Sequence, residues 1–426
     1  MPAGLALIVL LPPSDLTTYK MILTQCAVCA TELGLTLGKK CGRCSTRYCG
    51  AECQVQHWKE GGHDTLCKKI KKAGGAEQYH ANKKYTEAVT VAVEKCAEDT
   101  KGQTCFICTQ AVHWKTKEGL VRGCSCRGTA GFAHVSCLVE QAKILVADAE
   151  ESHLDDDQWA RWSTCSLCGQ DYHGVVSCAF GWACWKTYLG RPETDWTRLS
   201  AMTQLGNGLS SAGHREEVLS MRETELSMWR HLGARDADLF DVQTNLAIAY
   251  GELGRLESAL EIKRDVYFGR LRVNGEEHER TLIAAINYAA PLAELKRFEE
   301  AKTLLRKTMP VARRVLGESH ELTLQMRSNY AGALCKDTGA TLDDLREAVT
   351  TLEETQRIAR RVLGGEHAFT VEVEGNLRHA RAALAARETP EAEKLAQDAF
   401  RTARAKIAQE RSELANAMAA MTTGDA

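Results

Sequence analysis

From about Asp195 onward, apolar residues return at helical spacing, and the spacing itself repeats. Asn245-Leu-Ala, Asn287-Tyr-Ala and Asn329-Tyr-Ala recur every 42 residues. Gly275-Glu-Glu-His278-x2-Thr281 returns as Gly317-Glu-Ser-His320-x2-Thr323. It returns again, 47 residues later, as Gly364-Gly-Glu-His367-x2-Thr370, with Asn376-Leu following. Lys336 to Asp344 absorbs the five extra residues. Ala259, Ala301 and Ala348 mark a close-packed second helix in each unit, and a weaker copy begins near Leu205, with Gly213 matching Gly254. One helical pair cannot bury its apolar face alone, so the period predicts an all-α solenoid over 195–416. Glu391 to Asn416 is expected to cap it, and 417–426 reads as a frayed tail.

The first part of the chain lacks this period. Tyr85, Ala88, Val89, Val91, Ala92 and Val93 give one apolar helical face within a spacer at 68–101, ended by Gly102. Phe180, Trp182, Trp185 and Tyr188, with Cys178 and Cys184, predict one buried helix within 174–194 that packs its neighbours together. The run Leu5 to Leu11 is too short to span a bilayer and lacks the basic flank of a secretory signal, so 1–25 reads as a disordered leader. Met21 is a candidate start. No other run approaches transmembrane length.

The chain has 426 residues, a formal net charge of −2 and 26% charged residues. That length allows two or three domains, and the balance gives no global basic field to draw nucleic acid. Lys68-Lys69-x-Lys71-Lys72 is a local exception. Its first reading is a solvated face, its second a nuclear signal or nucleic-acid contact.

The cysteines change the picture most. Most of the 18 fall in the first 170 residues at metal spacing. One eight-ligand pattern runs Cys26-x2-Cys29, Cys41-x2-Cys44, Cys49-x3-Cys53, His63-x3-Cys67. The second runs Cys105-x2-Cys108, Cys124-x-Cys126, His134-x2-Cys137, Cys165-x2-Cys168. A two-residue gap lets one turn deliver two thiolates to one tetrahedral zinc. Sixteen ligands at four per ion predict four zinc per chain. Reduced thiolates in a long chain point to the cytoplasm or nucleus. Only Cys96, Cys178, Cys184 and Cys335 are left over, and His113, His153 and His173 do not fit the spacing.

Residues 26–67, through these ligands with Tyr48-Cys49, Cys53-Gln54 and His57-Trp58, resemble a MYND zinc finger. The resemblance implies interleaving, with Cys26, Cys29, Cys49 and Cys53 on one zinc and Cys41, Cys44, His63 and Cys67 on the other. Gly61-Gly62 lengthens the gap after Trp58, which leaves His57 as the competitor to the favoured His63. MYND fingers are peptide-docking modules.

Residues 102–173 resemble a RING-CH (RING variant) finger, on Cys124-Ser-Cys126-Arg127-Gly128-Thr129, Phe132-Ala133-His134-Val135-Ser136-Cys137-Leu138 and Cys165-Ser-Leu-Cys168. The implied cross-brace puts Cys105, Cys108, His134 and Cys137 on one zinc and Cys124, Cys126, Cys165 and Cys168 on the other. It further implies a ubiquitin ligase that binds a ubiquitin-conjugating enzyme through Ile107 and through a tryptophan at the position held here by Gln141. Trp159 or Trp162 would have to fold back to replace it. The repeats resemble those of kinesin light chains, a tetratricopeptide type, with a groove for peptide segments of other proteins lined by Asn245, Asn287 and Asn329.

The leading expectation is a zinc-binding ubiquitin ligase that docks substrates through its repeats and first finger. The alternative is a non-enzymatic scaffold with three docking modules, favoured by Gln141. A lysine methyltransferase would need a SET domain, whose signature motifs are absent, and no nucleotide-binding loop is present.

Overall fold

The computed structural model describes residues 25–31, 33, 37–152, 156–388 and 401. The leader up to residue 24, the capping segment Glu391 to Asn416 apart from Arg401, and the tail lie outside these residues. The chain divides into two compact units, Met1–Arg255 and Leu256–Ala426.

The first unit begins with a short antiparallel pair, β1 (Lys39–Lys40) and β2 (Arg47–Tyr48), then α1 (Ala51–Lys59) and α2 (His63–Lys72). Gly74 and Gly75, both at positive φ, end the finger and turn the chain into α3 (Ala76–Cys96). The expected spacer is therefore two things. Its first residues complete the finger's last helix, and α3 is a separate packing element. Of the anticipated apolar face, Val89 and Ala92 are buried while Val91 is exposed.

After the second cysteine-rich segment come α4 (Val135–Ser152) and a 3-10 turn (Asp156–Trp162). Four helices follow: α5 (Gly174–Tyr188), α6 (Trp196–Ser211), α7 (Arg215–His231) and α8 (Asp236–Glu252). The helix α5 is apolar on every side, and eleven of its residues from Val176 to Tyr188 are buried. It packs against α3, α4 and α6. Its approach to α6 is set by two glycines. A Cβ on Gly208 would stand 2.6 Å from the Ser177 carbonyl oxygen, and one on Gly181 would stand 2.9 Å from Leu205 Cα. On its other side, Gln78 of α3 donates to the Lys186 carbonyl at 3.0 Å, and Lys186 Nζ lies 3.6 Å over the Tyr85 ring. A buried network joins α6 to α7: Arg222 pairs with Glu225 at 2.7 Å and bonds Asn207 at 2.6 Å.

The second unit is a run of antiparallel helices. These are α9 (Leu256–Asn274), α10 (Glu279–Glu294), α11 (Phe298–Leu316), α12 (Glu321–Lys336), α13 (Leu342–Val362) and α14 (Ala368–Glu388). Each packs on the next, and α12 also touches α10 and α14. The repeated sequence motif has a local cause. His278 and His320 are N-caps, their Nδ1 atoms accepting the N–H of Arg280 at 3.1 Å and of Leu322 at 3.3 Å. Thr281, Thr323 and Thr370, three residues on, are buried, and Ala301 and Ala348 are fully covered. The extra residues before α13 form a turn. There Asp337 meets the buried Lys302 at 2.9 Å, and Thr341 with Asp344 makes a capping box.

Candidate metal centres and docking surfaces

Four groups of side chains converge, each with its ligand atoms within 4.8 Å of one another. They are Cys26, Cys29, Cys49 and Cys53; Cys41, Cys44, His63 and Cys67; Cys105, Cys108, His134 and Cys137; and Cys124, Cys126, Cys165 and Cys168. Local backbone geometry delivers them. In each x2 turn the first cysteine's carbonyl accepts the N–H four residues on, and its own N–H reaches the carbonyl five residues on. For Cys105 these bonds come from Thr109 at 2.8 Å and go to Gln110 at 3.0 Å. Cys26, Cys41 and Cys165 repeat the pattern with Ala30, Ser45 and Gly169. All four turns place that fourth residue at positive φ.

The spacing fits zinc. A tetrahedral ion with Zn–S bonds of about 2.3 Å sets sulfurs about 3.8 Å apart. Cys41 and Cys67 are 3.9 Å apart, Cys126 and Cys165 3.8 Å, and Cys29 and Cys53 3.7 Å. A disulfide would need about 2.05 Å, and every cysteine is a free thiol. Hydrogen bonding from Thr31 pulls Cys29 down to about 6, while hydrogen bonding with Cys49 pushes Cys53 well above its ordinary value. Cys168 falls to about 7, chiefly through the backbone at Gln170, and burial raises Cys126. Thiols this close cannot all ionise side by side without a cation among them. Zinc would supply that cation and tie distant chain segments together.

His63 is 1% exposed and sets Nε2 3.4 Å from Cys44 Sγ. His57 stays outside the cluster, taking Tyr48 OH on its Nδ1 at 3.0 Å and lying 4.8 Å from the His63 ring. His134 turns its Nδ1 to Cys108 at 3.3 Å. His113 closes a similar turn without thiols. Its carbonyl accepts from Lys117, which is at positive φ, and its Nδ1 accepts from the Thr116 N–H at 3.1 Å. His173 precedes α5 and bonds Gly123 through its backbone, whereas His153 lies outside the described residues.

Ile107 sits on the tip of the Cys105 turn and is 38% exposed. Gln141, one turn into α4 beyond Cys137, accepts Ser166 Oγ at 3.4 Å, so α4 abuts the Cys165 turn. Two residues that sequence reasoning missed share this region: Leu167, 52% exposed on the tip of that turn, and Ile144, exposed on α4. Leu167 was findable, since it lies between two ligands as Ile107 does. Neither tryptophan folds back to Gln141. Trp162 is fully buried, its Nε1 donating to Tyr188 OH at 3.3 Å and its carbonyl accepting from Gln204 at 3.0 Å. Trp159 lies against Tyr188 and Trp196. The aromatic core around α5 holds both.

Asn245 lies on α8, Asn287 on α10 and Asn329 on α12, and all three are half-buried. Asn376, in the same register on α14, donates to Ser328 Oγ at 3.3 Å.

Residues 26–67 match the MYND finger family, and residues 281–321 match a tetratricopeptide repeat. No curated protein matches the chain. Among solved structures, the nearly identical TPR-like repeats assigned as a kinesin light chain from Podosopora anserina align at 23% identity and a TM-score of 0.39. That alignment covers 49% of this chain and 96% of that one. A single-substitution form of those same repeats aligns at 16% identity and a TM-score of 0.39, covering 53% and 95%. BtubC (BKLC) from P. vanneervenii aligns at 14% and 0.37, covering 62% and 92%. No described helix is long and apolar enough to cross a membrane.

Proposed function

Starting from a MYND finger joined to tetratricopeptide repeats, we propose that this chain is a zinc-dependent protein-interaction protein whose second finger, over 102–173, acts as a RING-CH-type ubiquitin ligase. The observation that carries the ligase reading is the pair of exposed aliphatic tips, Ile107 and Leu167, on the two metal turns beside α4. Apolar anchors on rigid turns suit a protein partner, and a ubiquitin-conjugating enzyme is the partner the ligand pattern implies. Cys105, Cys108, His134 and Cys137 would hold one zinc of this finger and Cys124, Cys126, Cys165 and Cys168 the other, fixing the two tips. The finger does no covalent chemistry. A substrate amine attacks the thioester carbonyl on the conjugating enzyme, an isopeptide bond forms, and the enzyme's thiol leaves. The ligase holds the two in reach.

The repeats take the substrate in this reading. An asparagine amide both donates and accepts, which suits an extended peptide backbone. Alanine at Asn245, Asn287 and Asn329 together is expected to weaken peptide capture at unchanged helicity. A fall in melting temperature with unchanged capture would make them structural instead.

In vitro ubiquitylation with a panel of conjugating enzymes tests the ligase. Ile107→Ala should keep its zinc and lose most activity, as an exposed aliphatic anchor contributes about 1–2 kcal/mol to an interface. Gln141→Trp should raise activity. Gln141, the burial of Trp162 and the packing of Trp159 against Tyr188 and Trp196 favour a second reading, a scaffold that recruits no conjugating enzyme. A zinc-loaded chain that builds no ubiquitin chains with any enzyme tested establishes it.

A further inference from the structure

The first finger carries a concentration of cations that the rest of the molecule does not neutralise. Lys39 and Lys40 form β1, Arg43 lies between two ligands, and Lys68, Lys69, Lys71 and Lys72 follow Cys67 on α2. All seven are exposed. The second cysteine–histidine cluster gathers them. Cys41, next to Lys40, is 3.9 Å from Cys67, next to Lys68, measured between sulfurs. Arg43 adjoins Cys44, whose carbonyl accepts the Ala76 N–H at 3.1 Å just beyond the end of α2. His63, Cys67 and Ile70 fix the inward face of α2, so the lysines between and after them have to face water.

Elsewhere many of the basic residues are paired with carboxylates. Arg191 pairs with Glu150, Arg297 with Glu300, Arg314 with Glu277, Arg360 with Glu374 and Arg381 with Glu353. Among the described residues, none of the seven finger cations makes an ion pair or a side-chain hydrogen bond. Asp64, one turn before Lys68 on α2, is paired with none of them, and half-buried Glu77 feels Arg198 and Arg47 more strongly than Lys40. A zinc held by three thiolates and one imidazole adds one negative charge beneath this face, too little to cancel it.

We propose that this face of the first finger docks an acidic segment of another protein. Charge complementarity selects the partner. The cations are mostly lysines, point charges on flexible stems, without the arginine forks that read base edges or an aromatic ladder for stacking bases. A run of aspartates and glutamates satisfies such a face in many registers. Attraction of this kind speeds encounter and weakens with salt. The surface is separate from the Ile107–Leu167 region of the second finger and stands whether or not that finger recruits a conjugating enzyme.

The test uses the full zinc-loaded chain and three fluorescent probes: a peptide rich in aspartate and glutamate, a neutral peptide of equal length, and a DNA oligonucleotide. The acidic peptide should bind, the neutral one should not, and binding should weaken steadily as salt is raised. Replacing Lys68, Lys69, Lys71 and Lys72 together with glutamine should lower affinity about tenfold or more, with zinc content and helicity unchanged. Glutamine at Lys83 and Lys84 of α3, which sit beside Glu87, should change affinity less than about twofold. Equal binding by the glutamine variant and the wild type overturns the proposal, as does failure of the acidic peptide to bind. Tighter binding of the oligonucleotide than of the acidic peptide at the same salt assigns the face to nucleic acid instead.

Discussion

The first finger and the second unit solve the same problem by opposite means. The finger has few apolar residues, among them Leu33, Tyr48 and Ile70, clustered with its cysteines. Ligand convergence takes the place of a core. The second unit has no metal cluster among its described residues and is held by repeated packing: Leu292, Ala301 and Ala333 in one layer, the His278 and His320 caps, and buried Thr281, Thr323 and Thr370. In the finger, order comes from a few irreplaceable atoms. In the repeats it comes from many small, redundant contacts.

The sharpest way to break the comparison is to remove the metal. Cys29→Ala takes a ligand from the first finger, whose folding is on the order of 10 kcal/mol of metal binding. Elemental analysis should show metal lost from this finger while the second finger keeps its own. Exhaustive chelation should leave the helical signal of α9 to α14 in place, followed by hydrogen exchange. Equal loss of protection in both units would show that the repeats lean on the fingers.

A smaller effect separates the units by pH. His80 on α3 lies 6.1 Å edge-on from Trp182 of α5, and burial pulls it down to about 4, helped by Lys84 and Lys83. A histidine depressed below its unfolded value of about 6.5 gives no pH dependence above that value. As pH falls from about 6.5 toward 4, the unfolded chain takes up a proton that the folded chain refuses, so stability drops by on the order of 1–3 kcal/mol. His80→Leu should flatten that fall in the first unit, read as melting temperature against pH with zinc content checked at each point. A slope that stays the same assigns the acid sensitivity to other groups.

The smallest effect is a gain within the repeats. The helix-to-helix turns place Gly213 and Gly254 at positive φ, and Lys296 holds the corresponding place between α10 and α11 at φ 61°. An L-residue pays a steric penalty there that glycine avoids. Lys296→Gly is expected to stabilise the second unit by about 0.5–1 kcal/mol, measured by urea unfolding. One turn in a redundant stack should matter this little; a loss of several kcal/mol would mean the stack has a keystone.

Legibility follows the same division. The convergence of the finger side chains was readable because ligand chemistry leaves a spacing signature: Cys41-x2-Cys44 and Cys105-x2-Cys108 mean one tight turn wherever they occur. The solenoid was readable because Asn245, Asn287 and Asn329 keep period. What stayed hidden needs three-dimensional neighbours. Trp162 looks as available to Gln141 as to Tyr188 in sequence, and only the aromatic core around α5 decides. The helix after Cys67 reads as spacer until Ile70 and the Gly74-Gly75 break show where the finger ends. Leu167 was legible by symmetry with Ile107 and was overlooked.

The burial of α5 on all sides has a consequence for dissection. An isolated piece of residues 102–173 lacks the helix that α4 rests on, while extending that piece to Tyr188 leaves an apolar rod facing water. Fragments that end at either point should precipitate or bind holdase chaperones, and the shortest well-behaved piece should run through α6 to Ser211. During synthesis the same holds in time: the ligand set from Cys105 to Cys168 is complete as soon as Cys168 emerges, but its final seat waits for Gly208.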